Sequence, residues 1–253
     1  QLETCTSFRP NISVFLNITP DHLSRHGSLE NYLAEKTKCC ANQQPSDYVV
    51  YYAQDTLVEA CIQECLAETV PFDNTDINRY LTDTSSFLGT HNKLNAVAAL
   101  KVAECLGLSI PSCANHLNHF KPLKHRLELV SDHNNIKIYN DSKSTNPEST
   151  IKALEAFSEP PLLICCGENK NLPLNDLAAS IIKRSKHVLL FGEIALPLIK
   201  ALTTIQPSFN IHHVHTLQEA VSEALSLSSS GDTILFSPSS SSLDQFKSFE
   251  ERG

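Results

Sequence analysis

The second half of the chain alternates between short apolar runs and longer amphipathic segments. The apolar runs predict strands at 162–166, 188–191, 210–214 and 233–236. The segments near them have helical periodicity, at 146–158, 174–185, 194–204 and 216–228. Because strands and helices that alternate at this spacing are typical of βαβ units, we predict an α/β fold with a mostly parallel sheet.

A hairpin precedes this alternation and opens into a dense polar segment. Residues 127–131 and 136–139 read as its two strands, with a turn at 132–135. The polar segment 140–146 follows and ends at Asn146-Pro147-Glu148, where Asn can cap a helix, Pro fits its first position and Glu complements its dipole. A strand that delivers this many polar groups to a helix start predicts an anion site. The alternative is an ordinary solvated turn.

The first half of the chain has a similar but less regular pattern. We predict strands at 12–18 and 47–53 and helices at 29–42, 55–66 and 90–106. The segment 69–88 has weak periodicity, is compatible with an irregular hairpin and stays open. A short helix starting at Thr19-Pro20 would place His22 and His26 near the carboxyl end of the first strand, where ligands bind in open α/β sheets. Their spacing of four also allows zinc, although no Glu or Cys follows at a metalloenzyme spacing.

Composition narrows the class of protein. The net charge of −8 and the absence of a basic run argue against a nucleic-acid partner. No signal peptide and no apolar run long enough to cross a bilayer are present, so no membrane partner is expected. Nine cysteines without a regular framework favour reduced thiols and a cytoplasmic location. A boundary near 107–111 divides 253 residues into two predicted domains, 1–108 and 109–253.

Two absences suggest a partial chain. The sequence contains no Met and begins at Gln1-Leu2-Glu3. It has only 7 Gly, and none lies in a phosphate-binding G-x-x-x-x-G-K-[ST] motif. We therefore expect an N-terminal part to be missing.

Four segments together resemble the Mur ligases. They are Asn17 to Ser28 with Tyr32 and Lys36, His91-Asn92-x-x-Asn95-Ala96, His125-Arg126, and Asn140-Asp141-Ser142-Lys143-x-Thr145-Asn146. Within the family, the Asp-Ser-Lys-x-Thr-Asn form and the segment from Ser237-Pro238 to Arg252-Gly253 are similar to the members that add D-glutamate. The similarity extends over nearly the whole chain.

The resemblance implies an architecture and an activity. Residues 1–108 would be the remainder of a central P-loop-type ATPase domain, starting after its P-loop, and 109–253 a Rossmann-like C-terminal domain that binds D-glutamate. The expected reaction is ATP-dependent: the carboxylate of UDP-N-acetylmuramoyl-L-alanine becomes an acyl phosphate, which the amine of D-glutamate attacks. The enzyme would serve peptidoglycan synthesis and act as a monomer.

The resemblance also implies a nucleotide and metal site. Glu3, His22 and a carbamylated Lys36 would hold Mg²⁺, for which oxygen ligands are best suited. Asn92 and Asn95 would face the adenine of ATP. Arg126 and Asp141 would reach its phosphates and ribose from the other domain, so that ATP would bind in a cleft that closes.

The acceptor site is expected on the C-terminal domain. Lys170 would pair with the side-chain carboxylate of D-glutamate, and Thr145, Ser242 and the backbone near Phe249 would complete the pocket. Lys143, with Lys36 and His22, is expected to be catalytic and to stabilise charge near the acyl phosphate. Two departures from the family pattern affect the pocket: a single glycine, Gly167, precedes Lys170, and serines fill 239–242. This serine run lies between a predicted strand and an amphipathic helix predicted to start at Leu243, which favours a carboxylate-binding loop over a flexible linker.

Two other functions compete with this interpretation. One is a related ATP-dependent amino-acid ligase, either another Mur ligase or a folylpolyglutamate synthetase. The other is a binding module that holds D-glutamate or part of an ATP site without turnover, since the chain lacks a P-loop. The residues at 141–146 and 237–249 argue against the first alternative.

Overall fold

The computed structural model describes residues 2–19, 23–81, 87–117 and 119–253. The chain divides into two compact units, Gln1–Phe120 and Lys121–Gly253. The division falls after residue 120, whereas the sequence pattern predicts it after residue 108. In the described part of the chain, no helix is long and apolar enough to cross a membrane.

The first unit is built on a parallel sheet of three strands. These are β1 (Ile12–Phe15), β2 (Tyr48–Tyr52) and β3 (Glu68–Phe72), in that spatial order. The helices are α1 (Leu23–His26), α2 (Leu29–Thr37), α3 (Thr56–Ile62), α4 (Thr75–Tyr80), α5 (Thr90–Cys105) and α6 (Ile110–Leu117). A 3-10 turn, Leu2–Thr4, precedes them.

Local sequence explains where several of these elements begin. Ser28 caps α2 by accepting a hydrogen bond from Asn31 N, and Asp55 caps α3 by accepting from Leu57 N and Val58 N. The apolar residues of β2 alternate between the sheet's faces, so that Val50 packs with α5 and Val49 packs with α3. Each face of the sheet therefore carries a core cluster.

The structure differs from the sequence interpretation in two places in this unit. The irregular hairpin considered for 69–88 is wrong for the described residues, because β3 pairs in parallel with β2 and leads into α4. Helix α6 was not predicted. Its residues Ile110, Cys113 and Leu117 pack against the core cluster of α5, which explains why the first unit extends to residue 120.

The second unit is a six-stranded sheet with helices between its parallel strands. Its strands are β4 (Glu128–His133), β5 (Ile136–Asn140), β6 (Leu162–Cys166), β7 (His187–Phe191), β8 (Ile211–His213) and β9 (Thr233–Ser239). Its helices are α7 (Pro147–Glu155), α8 (Asn175–Arg184), α9 (Ala195–Ile205), α10 (Leu217–Leu227) and the short α11 (Phe249–Arg252). The alternation predicted for this half is confirmed.

The hairpin of β4 and β5 is the antiparallel part of this sheet. Asn134 and Asn135 form its turn with positive φ angles of 53° and 61°, a conformation that Asn tolerates better than most residues. The other neighbouring strands are parallel, in the order β4-β5-β9-β6-β7-β8. Because β9 lies between β5 and β6, the loops that follow these three strands lie side by side at the carboxyl ends of the strands. This end of the sheet, called the loop edge below, is where open α/β sheets bind ligands.

Two helix starts follow their sequence signals, and one predicted helix is wrong. Asn146 accepts a hydrogen bond from Ser149 N (2.8 Å) to cap α7, and Thr216 accepts one from Glu219 N (3.2 Å) to cap α10. The helix predicted to start at Leu243 is a single turn, in which Ser242 O accepts from Gln245 N and Phe246 N. The chain then starts α11 at Phe249, with Ser248 as its cap.

Candidate functional site

The polar segment after β5 is buried around Asp141, which is 5% exposed. Its Oδ1 accepts a hydrogen bond from Leu127 N (3.2 Å), and its Oδ2 accepts from the hydroxyls of Ser144 (2.5 Å) and Ser237 (2.8 Å). These donors come from the start of the hairpin, from the segment itself and from β9. The carboxylate therefore joins three parts of the unit that are distant in sequence.

Burial raises the pKa of Asp141 above its ordinary value, and the hydrogen bonds from Ser144, Ser237 and Leu127 oppose that rise. Both carboxylate oxygens are turned inward and have partners. The contact of Asp141 with the ribose or phosphates of ATP stays a prediction, whereas its hydrogen bonds to three parts of the unit are seen directly. Arg126 lies near it in an exposed position, and the positive charge of Arg126 also favours the ionised carboxylate.

A second buried network connects the same segment to the end of the chain. The Asn140 amide donates to Gly253 O (2.8 Å) and contacts His125 Nδ1 (3.0 Å), and its Oδ1 accepts from Ser142 N. The Ser142 hydroxyl donates to Phe249 O (2.7 Å). The His125-Arg126 loop and α11 are thereby held beside the end of β5.

The ends of β6 and β9 are in close contact. Gly167 has φ +119°, and a Cβ there would collide with Ser241 O, so only glycine fits this approach. Glu168 N donates to Ser241 O (3.0 Å), and the hydroxyl of Ser240 donates to Glu168 O. Ser239 itself has a positive φ of 65°, an uncommon conformation for a residue with a side chain. The serine run predicted as a binding loop is therefore tightly packed rather than a linker.

The loop after β7 joins this cluster through a carboxylate. Asp244 Oδ2 accepts a hydrogen bond from Glu193 N (3.4 Å), and Glu193 Oε2 accepts one from Asn169 N (3.2 Å). Burial raises the pKa of Asp244 above its ordinary value, with the negative charge of Glu193 acting in the same direction. The loop that carries Lys170 is thus bonded to the loop after β7.

The predicted acceptor residues lie along this edge of the second unit. Lys170 Nζ donates to Thr145 O (3.3 Å), and Ser242 is buried. Lys143 Nζ lies 3.7 Å from the centroid of the Phe249 ring, which also meets the edge of the His125 ring. The structure therefore brings Lys143, Thr145, Lys170 and Phe249 to the loops at this edge. Their roles toward a substrate stay predictions.

Sequence reasoning missed one central residue, Arg252. This residue is 2% exposed, and its guanidinium donates to Ser142 Oγ (3.1 Å), Ser142 O (2.8 Å) and Ser240 O (3.0 Å). The segment 237–253 was singled out as a family motif, but nothing in the local pattern indicated that this Arg would be buried. The partner Ser237 was missed for a similar reason, because its contact with Asp141 depends on β9 lying beside β5.

In the first unit, Glu3 and Lys36 lie in one surface cluster. Glu3 forms an ion pair with Arg25, and His26 Nδ1 lies 3.8 Å from the same carboxylate. The Arg25 hydrogen bond lowers the pKa of Glu3. The ring of His26 meets the edge of Tyr32, and Lys36 Nζ lies 5.2 Å from the centroid of that ring. His22, the remaining predicted metal ligand, lies outside the described residues.

The predicted adenine-side residues lie at the start of α5. The Asn92 amide donates to Leu88 O (2.8 Å), so it helps to fix the chain before the helix, and Asn95 is exposed one turn further on. Gly89 precedes the helix with a φ of 82°. Asn95 is available for a ligand, and its role stays a prediction.

The described residues do not by themselves form a metal site. Within residues 2–19, 23–81, 87–117 and 119–253, no group of three or more His, Cys, Asp or Glu side chains could hold a metal ion. The carboxylate of Glu3 is a suitable oxygen ligand for Mg²⁺, but in this structure it forms an ion pair with Arg25. Lys36 carries an ammonium group and would need conversion to a carbamate before it could coordinate a cation.

Comparisons with known proteins agree with this architecture. Residues 1–79 match the Mur ligase middle domain, and residues 125–240 match the Mur ligase glutamate ligase domain. The chain belongs to the Mur ligase family.

Among curated relatives, the chain is similar to enzymes that share one name. It is 36% identical to the UDP-N-acetylmuramoylalanine--D-glutamate ligase of Pelotomaculum thermopropionicum and 37% identical to the ligase of the same name from Desulfitobacterium hafniense. Both alignments cover 100% of this chain and 60% of the relative. The chain therefore spans about three fifths of the length of these relatives.

Solved structures of two kinds of ligase share the fold. MurF from Acinetobacter baumannii has a TM-score of 0.71 and 18% identity, covering 91% of this chain and 57% of that one. Folylpolyglutamate synthase from Mycobacterium tuberculosis, complexed with ADP, has a TM-score of 0.69 and 15% identity, covering 91% and 61%. At these identities the likeness concerns the fold alone.

Proposed function

We propose that this chain belongs to an ATP-dependent ligase that adds D-glutamate to UDP-N-acetylmuramoyl-L-alanine in peptidoglycan precursor synthesis. The similarity to D-glutamate ligases over 100% of the chain carries the proposal. The loop edge of the second unit supports it, because Lys143 and Lys170 lie beside Phe249 and Thr145 there. Two cations at the ends of parallel strands suit a reaction between an anionic acceptor and an acyl phosphate.

The proposed reaction has two steps. The γ-phosphoryl group of ATP passes to the substrate carboxylate, which gives ADP and an acyl phosphate. The amine of D-glutamate then attacks the acyl carbon and loses a proton, while the C–O bond to phosphate breaks and an amide forms. In this scheme Lys170 pairs with the side-chain carboxylate of D-glutamate, and Thr145, Ser242 and the backbone near Phe249 orient it. Lys143 stabilises negative charge near the acyl phosphate.

The nucleotide site is a further part of the proposal. ADP in the folylpolyglutamate synthase structure supports nucleotide binding by this fold. Asn92 and Asn95 would contact adenine, while Arg126 and Asp141 would serve the phosphates and ribose. Mg²⁺ would neutralise phosphate charge when bound. Glu3 would release Arg25 to hold the ion with His22 and a carbamylated Lys36. We also propose that the enzyme acts as a monomer in the cytoplasm.

The test is phosphate release by the complete gene product. The assay contains ATP, Mg²⁺ and UDP-N-acetylmuramoyl-L-alanine, with D-glutamate, L-glutamate, L-alanine or a diamino acid added singly. The proposal expects release that depends on D-glutamate. Release with another acceptor would keep a ligase mechanism but refute the substrate. No release with any acceptor, alongside measurable D-glutamate binding, would favour a binding module.

A further inference from the structure

Three strand-end loops of the second unit converge on one buried cation, Arg252. Its Nε and Nη2 hold the hydroxyl and carbonyl of Ser142 after β5, and its Nη1 holds Ser240 O after β9. Nη1 also lies 4.0 Å from the Sγ atom of Cys166, the last residue of β6. One guanidinium thus contacts the ends of β5, β6 and β9.

The loops are tied to one another around this contact. The Glu168 backbone is hydrogen-bonded to Ser240 and Ser241, so the loop after β6 follows any movement of the loop after β9. Gly167 leaves little free space, since a Cβ there would lie 3.2 Å from Arg252 Nη1. The Ser142 hydroxyl also donates to Phe249 O, which fixes the start of α11. A shift of Arg252 would therefore disturb several segments at once.

The charge of this guanidinium has no carboxylate at ion-pair distance, although the negative charge of Asp244 acts on it and favours its charged form. Among the residues of the second unit, all of which the structure describes, no Asp or Glu forms an ion pair with Arg252. Its hydrogen-bond partners are neutral oxygens, and burial lowers its pKa without removing the charge at neutral pH. A buried charge without a directly paired counter-ion is costly, and its field favours anions at the nearby surface.

We propose that Arg252 is a positioning residue of the acceptor site, and the inference rests on the proposed function. Arg252 holds the loops that carry Thr145, Lys170 and Ser242 in one arrangement. Its positive charge, just beneath these loops and not directly paired with a carboxylate of the second unit, favours an acceptor that brings two carboxylates.

The test compares Arg252→Gln, which removes the charge and the fork of donors, with Arg252→Lys, which keeps the charge. Lys247→Gln, an exposed cation in the same segment, is the control. We expect Arg252→Gln to raise KM for D-glutamate by about tenfold or more while KM for ATP stays within about twofold. Arg252→Lys should show a smaller rise. An unchanged acceptor KM, an equal rise in both KM values, or no benefit from Lys over Gln would overturn the proposal.

Folding is controlled separately. If Arg252→Gln shows no cooperative thermal transition, Ser142→Ala takes its place, because it removes the hydroxyl partner of Nε and leaves the charge. We expect a rise of about threefold in KM for D-glutamate from this variant. An unchanged KM would count against the positioning role.

Hydrogen exchange separates this inference from the proposed function. In Arg252→Gln, or in Ser142→Ala as its replacement, amides of 141–145 and 240–242 should exchange faster than in Lys247→Gln, with no ligand present. If the wild type releases no phosphate with D-glutamate, the proposed function fails. The exchange data would still decide whether Arg252 ties the loops, and equal exchange in variant and control would contradict it.

Discussion

The two units each carry a carboxylate that the family resemblance implicates, but in opposite surroundings. Asp141 in the second unit is 5% exposed and accepts hydrogen bonds from a backbone amide and two hydroxyls. Glu3 in the first unit is 36% exposed at its side chain and pairs with Arg25, which is 69% exposed. The first carboxylate is part of a buried framework, and the second is one member of a surface ion pair.

This difference indicates two ways of preparing a site. The network around Asp141 fixes the loops of the second unit before any ligand arrives, because each of its buried groups already has a partner. A surface ion pair such as Glu3–Arg25 contributes little to stability and exchanges readily for another cation. We therefore expect changes in the hydrogen-bond network around Asp141 to alter stability and changes around Glu3 to alter ligand binding.

The largest expected effect is that of Asp141→Ala. The change leaves Leu127 N and the hydroxyls of Ser144 and Ser237 buried without their acceptor. We expect the free energy of unfolding of the second unit to fall by about 3 kcal/mol. Urea denaturation followed by circular dichroism measures it. The matched control, Asp132→Ala on the exposed strand β4, should change it by less than about 0.5 kcal/mol. Equal effects at both positions would contradict the framework role.

A smaller, pH-dependent effect on stability is expected from a histidine pair on the neighbouring strands β7 and β8. His187 Nδ1 lies 3.1 Å from His212 Nε2, and His212 Nδ1 lies 2.6 Å from Glu223 Oε1. Burial, and then the charge of His212, lower the pKa of His187 below its ordinary value. Because the pKa of His187 is lower in the folded than in the unfolded state, protonation favours unfolding. The free energy of unfolding should therefore be highest above the unfolded-state pKa of about 6.5 and should decrease as the pH falls to the folded-state pKa.

His187→Asn tests this pH dependence. The variant should have a flatter curve of melting temperature against pH between about 7 and 5 than the wild type. The control is His133→Asn, which changes an exposed histidine of β4. A wild-type curve that rises on acidification would refute the assigned direction.

The smallest expected effect on stability is that of Glu3→Gln. The variant loses an exposed ion pair, so its urea midpoint should match that of the wild type within error. If Glu3 holds Mg²⁺ as proposed, KM for Mg²⁺ in the phosphate-release assay should nevertheless rise by about tenfold. The control is Glu35→Gln, which breaks the ion pair between Glu35 on α2 and Lys38. If Glu3→Gln lowered the urea midpoint and left KM for Mg²⁺ unchanged, Glu3 would have a structural role like that of Asp141, and the contrast between the two carboxylates would be wrong.

Local patterns predicted the elements of the second unit well. The apolar runs at 162–166 and 233–236 became β6 and β9, and Asn146 caps α7 as its sequence indicates. These features depend on side-chain periodicity and on groups a few residues apart. The sequence does not predict helix α6, because its residues Ile110 to Leu117 follow Gly107, a strong helix-end signal that indicates a domain boundary.

The buried site network could not be derived from local patterns. Arg252 and Ser142 are 110 residues apart, and the contact of Ser237 with Asp141 requires β9 to insert between β5 and β6. Strand order is a property of the whole fold, so neither local charge nor periodicity reveals it. The single turn at Leu243 illustrates the same limit, since Asp244 there bonds to Glu193 on another loop.

We propose that the loop edge of the second unit binds the acceptor amino acid through Lys170. Lys170→Ala compared with Lys152→Ala, an exposed lysine on α7, tests it most directly. Initial rates of phosphate release give KM for D-glutamate and for ATP in each variant. We predict a rise of about tenfold or more in KM for D-glutamate in Lys170→Ala alone, with KM for ATP unchanged. An unchanged KM for D-glutamate in Lys170→Ala would contradict it.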